Sequence, residues 1–178
     1  MIKLLILDVD GVLTNGKKIY DINGNVAYKE FCDKDWTYIK IFKSLNINVV
    51  FLTGDSFNKK IAKKRNIKVY INRKNNTHKD KIYFLKPICK EYSLKPEQIV
   101  YVGDDIFDLK LLNAVGYAFC PKDAPDIFDK KVKRLKKNGG DNLLIELFKF
   151  LQNKKLIPKL NLNKQIDKIY DLDIKEKF

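Results

Sequence analysis

Short apolar runs and longer amphipathic stretches alternate along the chain from its start to about residue 152. The runs at 2–8, 48–53 and 98–103 are nearly continuously apolar, as strands buried on both faces are. Those at 67–72, 116–120 and 131–135 complete a set of six expected strands. Between them the spacing predicts helices over 34–45, 57–65, 79–92, 105–114 and 140–152, and a short one near 124–129. The helix over 34–45 carries an apolar stripe of Trp36, Ile39, Phe42 and Leu45 behind Asp33 as its expected N-cap. Pro87 falls inside 79–92 and should kink or split that helix. A hairpin is expected over 18–31, with Asn23-Gly24 in a type I′ turn between Ile19-Tyr20 and Val26-Tyr28. This rhythm predicts an α/β fold, a doubly wound parallel sheet with helices on both faces. Residues 153–178 change to a Lys/Asn/Asp-rich composition with a helical period at Ile166, Ile169 and Tyr170, and read as a tail that docks elsewhere.

Three of the apolar runs end in polar, glycine-containing chemistry. The first runs into Asp8-Val9-Asp10-Gly11, the second into Thr53-Gly54-Asp55, and the third into Gly103-Asp104-Asp105 with Asp108 one turn on. Side chains at i and i+2 of a strand point the same way, so Asp8 and Asp10 can address one small volume. Two carboxylates there repel unless a cation or a shared proton stabilises them. In an open α/β sheet ligands sit beyond the carboxyl ends of the strands. Each residue also has a plain alternative. Thr53 could end a strand, Lys81 could be one lysine among many, Asp105 could be an N-cap, and Asp108 could be a first-turn acid stabilised by the helix dipole. His78, the single histidine, reads as a solvated side chain, and Trp36 as core or pocket wall.

Taken in order, Asp8-Val9-Asp10-Gly11-Val12-Leu13-Thr14, Thr53-Gly54, Lys81 and Gly103-Asp104-Asp105 resemble the four motifs of the haloacid dehalogenase-like phosphohydrolases. Four motifs at domain-scale spacing are specific where one alone is weak. The short hairpin from Lys18 to Phe31, Asp33-Lys34-Asp35, Asp123-Ala124-Pro125 and Gly139-Gly140 resemble the capless group typified by the 3-deoxy-D-manno-octulosonate 8-phosphate phosphatases. The resemblance covers about residues 2–152. It implies a phosphatase domain over 1–152 with a Rossmann-like sheet and a small β-hairpin in place of a cap domain, then a C-terminal tail over 153–178.

The resemblance also implies roles. Asp8 would be the nucleophile that forms an aspartyl-phosphate, and Asp10 the general acid, then the base. Asp8, the backbone carbonyl of Asp10 and Asp104 would hold Mg²⁺, which prefers oxygen ligands. Thr53, the Gly54 backbone and Lys81 would bind the phosphoryl group. The implied reaction is Mg²⁺-dependent hydrolysis of a small sugar phosphate such as 3-deoxy-D-manno-octulosonate 8-phosphate. Alternatives are a nine-carbon keto-sugar phosphate, another phosphomonoester, or a non-catalytic binding protein on the same fold. Departures bear on the substrate. The resembled enzymes carry arginine where this chain has Asp55, and Asp-Gly where it has Asp35-Trp36, so a larger wall is expected at the pocket. The segment after Gly140 reads Asp141-Asn142-Leu143-Leu144, with Ile145 in place of an arginine and Glu146 kept.

Composition narrows the setting. A chain of 178 residues, 45% hydrophobic, supports one domain with a substantial core. The opening apolar run is too short to span a bilayer, and no signal-peptide pattern is present, so no membrane partner is expected. Cys32, Cys89 and Cys120 are odd in number and widely spaced, which favours reduced thiols and the cytoplasm. The net charge of +14 raises nucleic acid as a partner. Against it, the basic residues are nearly all lysine, apart from Arg65, Arg73 and Arg134, and they are spread along the chain. No nucleic-acid partner is expected, although a positive field would draw in an anionic substrate. Without a long insertion to cap the site, the resemblance to the capless group implies a homotetramer with hairpins at the interface, and Ile19, Tyr20, Val26 and Tyr28, which a lone ribbon cannot bury, suit that place.

Overall fold

The structure, a computed structural model, describes residues 1–74 and 77–176. Six parallel strands form the central sheet: β1 (Leu4–Leu7), β4 (Asn48–Thr53), β5 (Lys68–Ile71), β8 (Ile99–Val102), β9 (Tyr117–Cys120) and β10 (Lys133–Arg134). Their order across the sheet is β10-β9-β8-β1-β4-β5. The strand side chains divide between two cores with period two, as a pleated strand requires. Leu5, Leu7, Val49, Phe51, Val100 and Val102 face one core with α1 (Asp33–Ser44), α2 (Asn58–Lys64) and α5 (Leu143–Asn153). Leu4, Ile6, Val50, Leu52, Ile99 and Tyr101 face the other with α3 (Leu85–Tyr92) and α4 (Leu109–Ala114). The sheet is doubly wound, and its order reverses beside β1.

Several local expectations are corrected. α1 begins at Asp33, with Cys32 in the N-cap position and no side-chain cap, so Asp33 and Asp35 are first-turn acids beside the positive end of the helix dipole. Residues 124–129 form turns, not a helix. Pro125 lies within this short segment, and the Arg134 guanidinium bonds the carbonyls of Pro121, Lys122, Ala124 and Pro125 in place of helical donors. The stretch 79–92 is split: a 3₁₀ turn spans Lys81–Phe84, and α3 starts at Leu85. Pro87 thereby falls in the first turn of α3, where its missing N–H costs nothing.

The hairpin consists of β2 (Ile19–Tyr20) and β3 (Val26–Tyr28) and forms a separate two-stranded sheet. Its loop is not the two-residue type I′ turn. The Gly24 N–H donates to Asp21 O and the Asn25 carbonyl accepts from Asp21 N–H, while the Asp21 carboxylate accepts from Asn23 and Asn25 N–H. A type I′ turn needs positive φ at both central residues, and of the pair only Gly24 has it. Ile19, Tyr20 and Tyr28 are each more than half exposed. The short loop expected between Asn72 and Lys79 is a second ribbon, β6 (Arg73–Lys74) against β7 (Thr77–His78); Asn75 and Asn76 lie outside the described residues.

The tail forms α6 (Leu162–Ile174), which packs on α1. Ile169 rests against the core, while Ile166 and Tyr170 are exposed. Lys40 of α1 pairs with Asp173 at 2.5 Å, and Arg65 pairs with Glu176 at 2.5 Å.

Candidate active site

Three strand ends meet at the point where the sheet order reverses. Asp8 follows β1, Thr53 closes β4, and Gly103-Asp104 follow β8, which places all three at one crevice beside the switch point. Asp8, Asp10, Thr53, Gly54, Lys81 and Asp104 line a single open cavity of about 750 Å³. All the residues singled out from the sequence for chemistry are therefore brought together.

Backbone geometry holds the first loop. The N–H groups of Leu13 and Thr14 donate to Val9 O, and the Thr14 hydroxyl accepts from Gly11 and Gly16 N–H. Gly11 has φ +81°, and a Cβ there would fall 1.9 Å from Asp104 Oδ2, so glycine is required both for backbone and for space. The late Gly139-Gly140 pair presses on the same loop. Gly140 N–H donates to Val12 O, and Gly139 N–H donates to the Asp123 carboxylate.

Lys81 is buried and donates to Asp8 Oδ2 and to Asp108 Oδ1, each at 2.6 Å. The other Asp8 oxygen accepts from Val9 N–H at 2.7 Å. Asp108 is fully enclosed: Oδ1 takes Lys81 and the Tyr101 hydroxyl, and Oδ2 takes the N–H groups of Asp104 and Asp105 at 3.0 Å. It is an anchor for Lys81 and the Asp104 loop. Asp105 accepts from Ile106 N–H and caps the 3₁₀ turn that leads into α4.

Burial pushes the Asp8 carboxyl up, against the opposing pull of Lys81. Burial and then the neighbouring Asp8 push Asp104 up to about 8. Asp104 Oδ1 is buried without a hydrogen-bond partner among the described residues. One carboxylate oxygen from each of Asp8, Asp104 and Asp108 lies within 4.8 Å of the others. Two crowded carboxylates and an orphaned oxygen suit a divalent cation, which favours their ionised forms. Each Asp108 oxygen takes two hydrogen bonds, whereas each Asp8 oxygen takes one and Asp104 Oδ1 none, so Asp8 and Asp104 keep the lone pairs that could hold it.

Asp10 is oriented by residues that sequence reasoning missed. Lys29, from the end of the hairpin, has a fully buried side chain and donates to Asp10 Oδ1 at 2.6 Å, Asp55 Oδ2 at 2.8 Å and Asn58 Oδ1 at 3.0 Å. Asn58 Nδ2 donates to Asp10 Oδ2 at 3.1 Å and to the Thr53 hydroxyl at 3.0 Å. Lys18 reaches Asp55 from the other strand side at 2.9 Å. Asp55 is thus held well below the usual carboxylate range, its partial burial outweighed by hydrogen bonds from Lys29 and Lys18. No pattern marks Lys29 in a chain so rich in lysine. Asn58, one turn beyond Thr53-Gly54, offered only its proximity.

Two expectations about the pocket change. Trp36 does not line the cavity: it is buried against Phe31 and Phe51, with the Arg65 guanidinium 4.6 Å over its ring. His78 is exposed as expected, yet it lines the cavity, its ring edge-on to Phe107 at 4.8 Å. Glu146 accepts from the N–H groups of Lys136 and Lys137 and anchors that loop.

Comparison with known proteins places this arrangement. Residues 55–142 match the family described as haloacid dehalogenase-like hydrolase. The chain is 36% identical over 150 residues to the 3-deoxy-D-manno-octulosonate 8-phosphate phosphatase KdsC of Haemophilus influenzae, covering 82% of this chain and 80% of that one. It is 32% identical over 123 residues to the Escherichia coli enzyme of the same name, covering 69% of this chain and 64% of that one. The cobalt-bound structure of the Haemophilus influenzae phosphatase superposes with a TM-score of 0.77 at 32% identity, covering 86% of each chain. The Moraxella catarrhalis phosphatase, solved with magnesium, phosphate and KDO, shares the fold with a TM-score of 0.74 at 22% identity, over 97% of this chain and 92% of that one. This chain belongs to the haloacid dehalogenase-like hydrolases, in the group of the 3-deoxy-D-manno-octulosonate 8-phosphate phosphatases.

Proposed function

We propose that this chain is a Mg²⁺-dependent phosphatase that hydrolyses 3-deoxy-D-manno-octulosonate 8-phosphate through an aspartyl-phosphate on Asp8. The observation that carries the reading is the convergence of Asp8, Asp104, Lys81 and Thr53 at the switch point of a chain 36% identical to such an enzyme. Asp8 attacks phosphorus while Asp10 gives a proton to the departing alkoxide. Asp10 then takes a proton from water, which attacks phosphorus and releases phosphate and free Asp8. Both Asp10 oxygens accept hydrogen bonds, from Lys29 and Asn58, which suits the base of this second step. Lys81 and the Thr53-Gly54 turn neutralise and hold phosphoryl oxygens. Asp8, Asp104 and the Asp10 carbonyl would hold Mg²⁺, which when bound would supply Lewis-acid polarisation and relieve carboxylate–phosphate repulsion.

Free thiols at Cys32, Cys89 and Cys120 suit a reducing cytoplasm, and among the described residues no helix is long and apolar enough to cross a membrane. We place residues 18–31 at the interface of a homotetramer, on the strength of the exposed Ile19, Tyr20 and Tyr28.

The test is phosphate release by purified protein from a panel holding the octulosonate ester, a nine-carbon keto-acid phosphate and simple monoesters. Preference for the octulosonate ester supports the reading; preference for another member replaces the substrate and leaves the mechanism. Exhaustive chelation should abolish turnover and Mg²⁺ restore it, and turnover that survives chelation would remove the metal from the account. Asp8→Asn should cost about 10³-fold or more in kcat with the fold retained.

A further inference from the structure

The β6–β7 ribbon stands at the rim of the cavity, and Asn72 sets its place. Asn72 N–H donates to Thr53 O at 3.1 Å, Lys79 N–H donates to Asn72 O at 2.8 Å, and Asn72 Nδ2 donates to Lys79 O at 2.9 Å. The base of the ribbon is therefore tied to the strand end that carries Thr53. With Nδ2 engaged, Asn72 Oδ1 remains a buried acceptor without a partner among the described residues. It lies 3.4 Å from where a Cβ on Gly54 would stand.

Arg73, the next residue, crosses the same glycine. Its Cδ and Nε lie 3.3 Å from that Cβ position, and its guanidinium carbon is 5.5 Å from the centre of the Phe107 ring. The His78 ring meets Phe107 edge-on, so the phenyl is held between the two ribbon strands' side chains. Arg73, Phe107 and His78 all line the cavity.

The charges around this rim separate cleanly. Lys81 is engaged by Asp8 and Asp108, Lys29 by Asp10 and Asp55, and Lys18 by Asp55. Arg73 and Lys74 have no carboxylate partner among the described residues. Of the two, only the guanidinium offers a planar fork that grips a carboxylate through two parallel hydrogen bonds, and stacking on Phe107 holds that fork in place.

We infer that Arg73 is the specificity-determining residue that takes the carboxylate of an acidic sugar phosphate, with Asn72 Oδ1 accepting from a sugar hydroxyl. The resembled enzymes carry arginine at the position of Asp55; here that position is an anion neutralised by Lys18 and Lys29, and the guanidinium enters the cavity from position 73. The inference rests on the acidic substrate class proposed above.

The test is the ratio of kcat/KM for an acid ester to that for a carboxylate-free ester, in parent, Arg73→Gln and Arg73→Lys proteins. One pair is 3-deoxy-D-manno-octulosonate 8-phosphate with D-arabinose 5-phosphate; the other is 3-phosphoglycerate with glycerol 3-phosphate. Arg73→Gln should lower the ratio about 10–100-fold, the range of a charge-assisted contact, with the change in KM of the acid rather than in kcat. Arg73→Lys should recover part of it. A parent protein that prefers 3-phosphoglycerate in the second pair but ignores the octulosonate ester retires the substrate alone; loss of that preference in Arg73→Gln then sustains the inference. A parent without acid preference in either pair, or a ratio that Arg73→Gln leaves unmoved, overturns it.

Discussion

Lys29 is the residue through which the hairpin reaches the chemistry. Its ammonium is enclosed by Asp10, Asp55 and Asn58, so removing it leaves Asp10 without its cation and Asp55 with Lys18 alone. Breaking a buried pair from one side costs about 3–5 kcal/mol. Lys29→Met should lower the urea midpoint accordingly and reduce kcat about 100-fold as Asp10 loses its orientation; unchanged stability and turnover would remove Lys29 from the site. Asp35 makes a second prediction, about pH. It accepts from Leu144 N–H at 2.9 Å, yet burial dominates and lifts its carboxyl to about 6, against about 3.9 in an unfolded chain. The folded chain then holds more protons than the unfolded one between about pH 4 and pH 6. The Asp35 contribution to stability is therefore fully present at low pH and falls by up to about 3 kcal/mol as pH rises through that window. Asp35→Asn should flatten this slope in urea titrations, and an unchanged slope would assign it to other groups. At this scale Asp8, Asp10, Thr53 and Asp104 were legible because each interrupts or ends an apolar run. Lys29, Asn58 and Arg73 were not, because their meaning lies in tertiary contacts that no local pattern encodes.

Elements were legible where burial alone dictates them. The central strands are buried on both faces, and their apolar runs announce it. Pro87 was legible as a break in 79–92, and the structure resolves it by placing the proline in the first turn of α3. The turn at 23–24 and the helix near 124–129 are not formed, because the Asp21 carboxylate accepts from the N–H groups of one loop and the Arg134 guanidinium donates to the carbonyls of the other. The β6–β7 ribbon went unseen, since two residues per strand leave no periodicity. α6 holds no buried residue; Lys40 of α1 pairs with its Asp173, its Lys168 donates to Ser44 O, and Ile169 rests on the core, while Arg65 beyond α2 pairs with Glu176 just past the helix. Deleting residues 159–178 should therefore lower Tm by only about 4–8 °C and leave Mg²⁺-dependent turnover within about twofold, for a loss near 2 kcal/mol. A truncated protein that is unfolded or inactive would make α6 part of the catalytic unit.

At the scale of the whole molecule, the net charge of +14 surrounds a site lined by five carboxylates together with Lys18, Arg73, Lys74 and Lys81. That field would draw a phosphate ester toward the protein and its site. The value of kcat/KM should accordingly fall as ionic strength rises, with kcat little changed; insensitivity to salt would confine the lysines to solubility. The cavity is open, and water there weakens fixed charges. An assembly that lays the exposed hairpin over a neighbouring site would exclude it, so light scattering at micromolar concentration should find a tetramer, and a 20.9 kDa monomer would contradict this. The central claim is the covalent step on Asp8, and it can be observed directly. Asp10→Asn, which lacks both the acid of the first step and the base of the second, is mixed with Mg²⁺ and 4-nitrophenyl phosphate, whose leaving group needs no proton, then quenched in acid and reduced with borohydride. An acyl phosphate becomes an alcohol under this treatment, so peptide mass spectrometry should find homoserine at position 8 and at no other aspartate. Turnover by the parent protein with Asp8 recovered unmodified in every quenched sample would contradict the account.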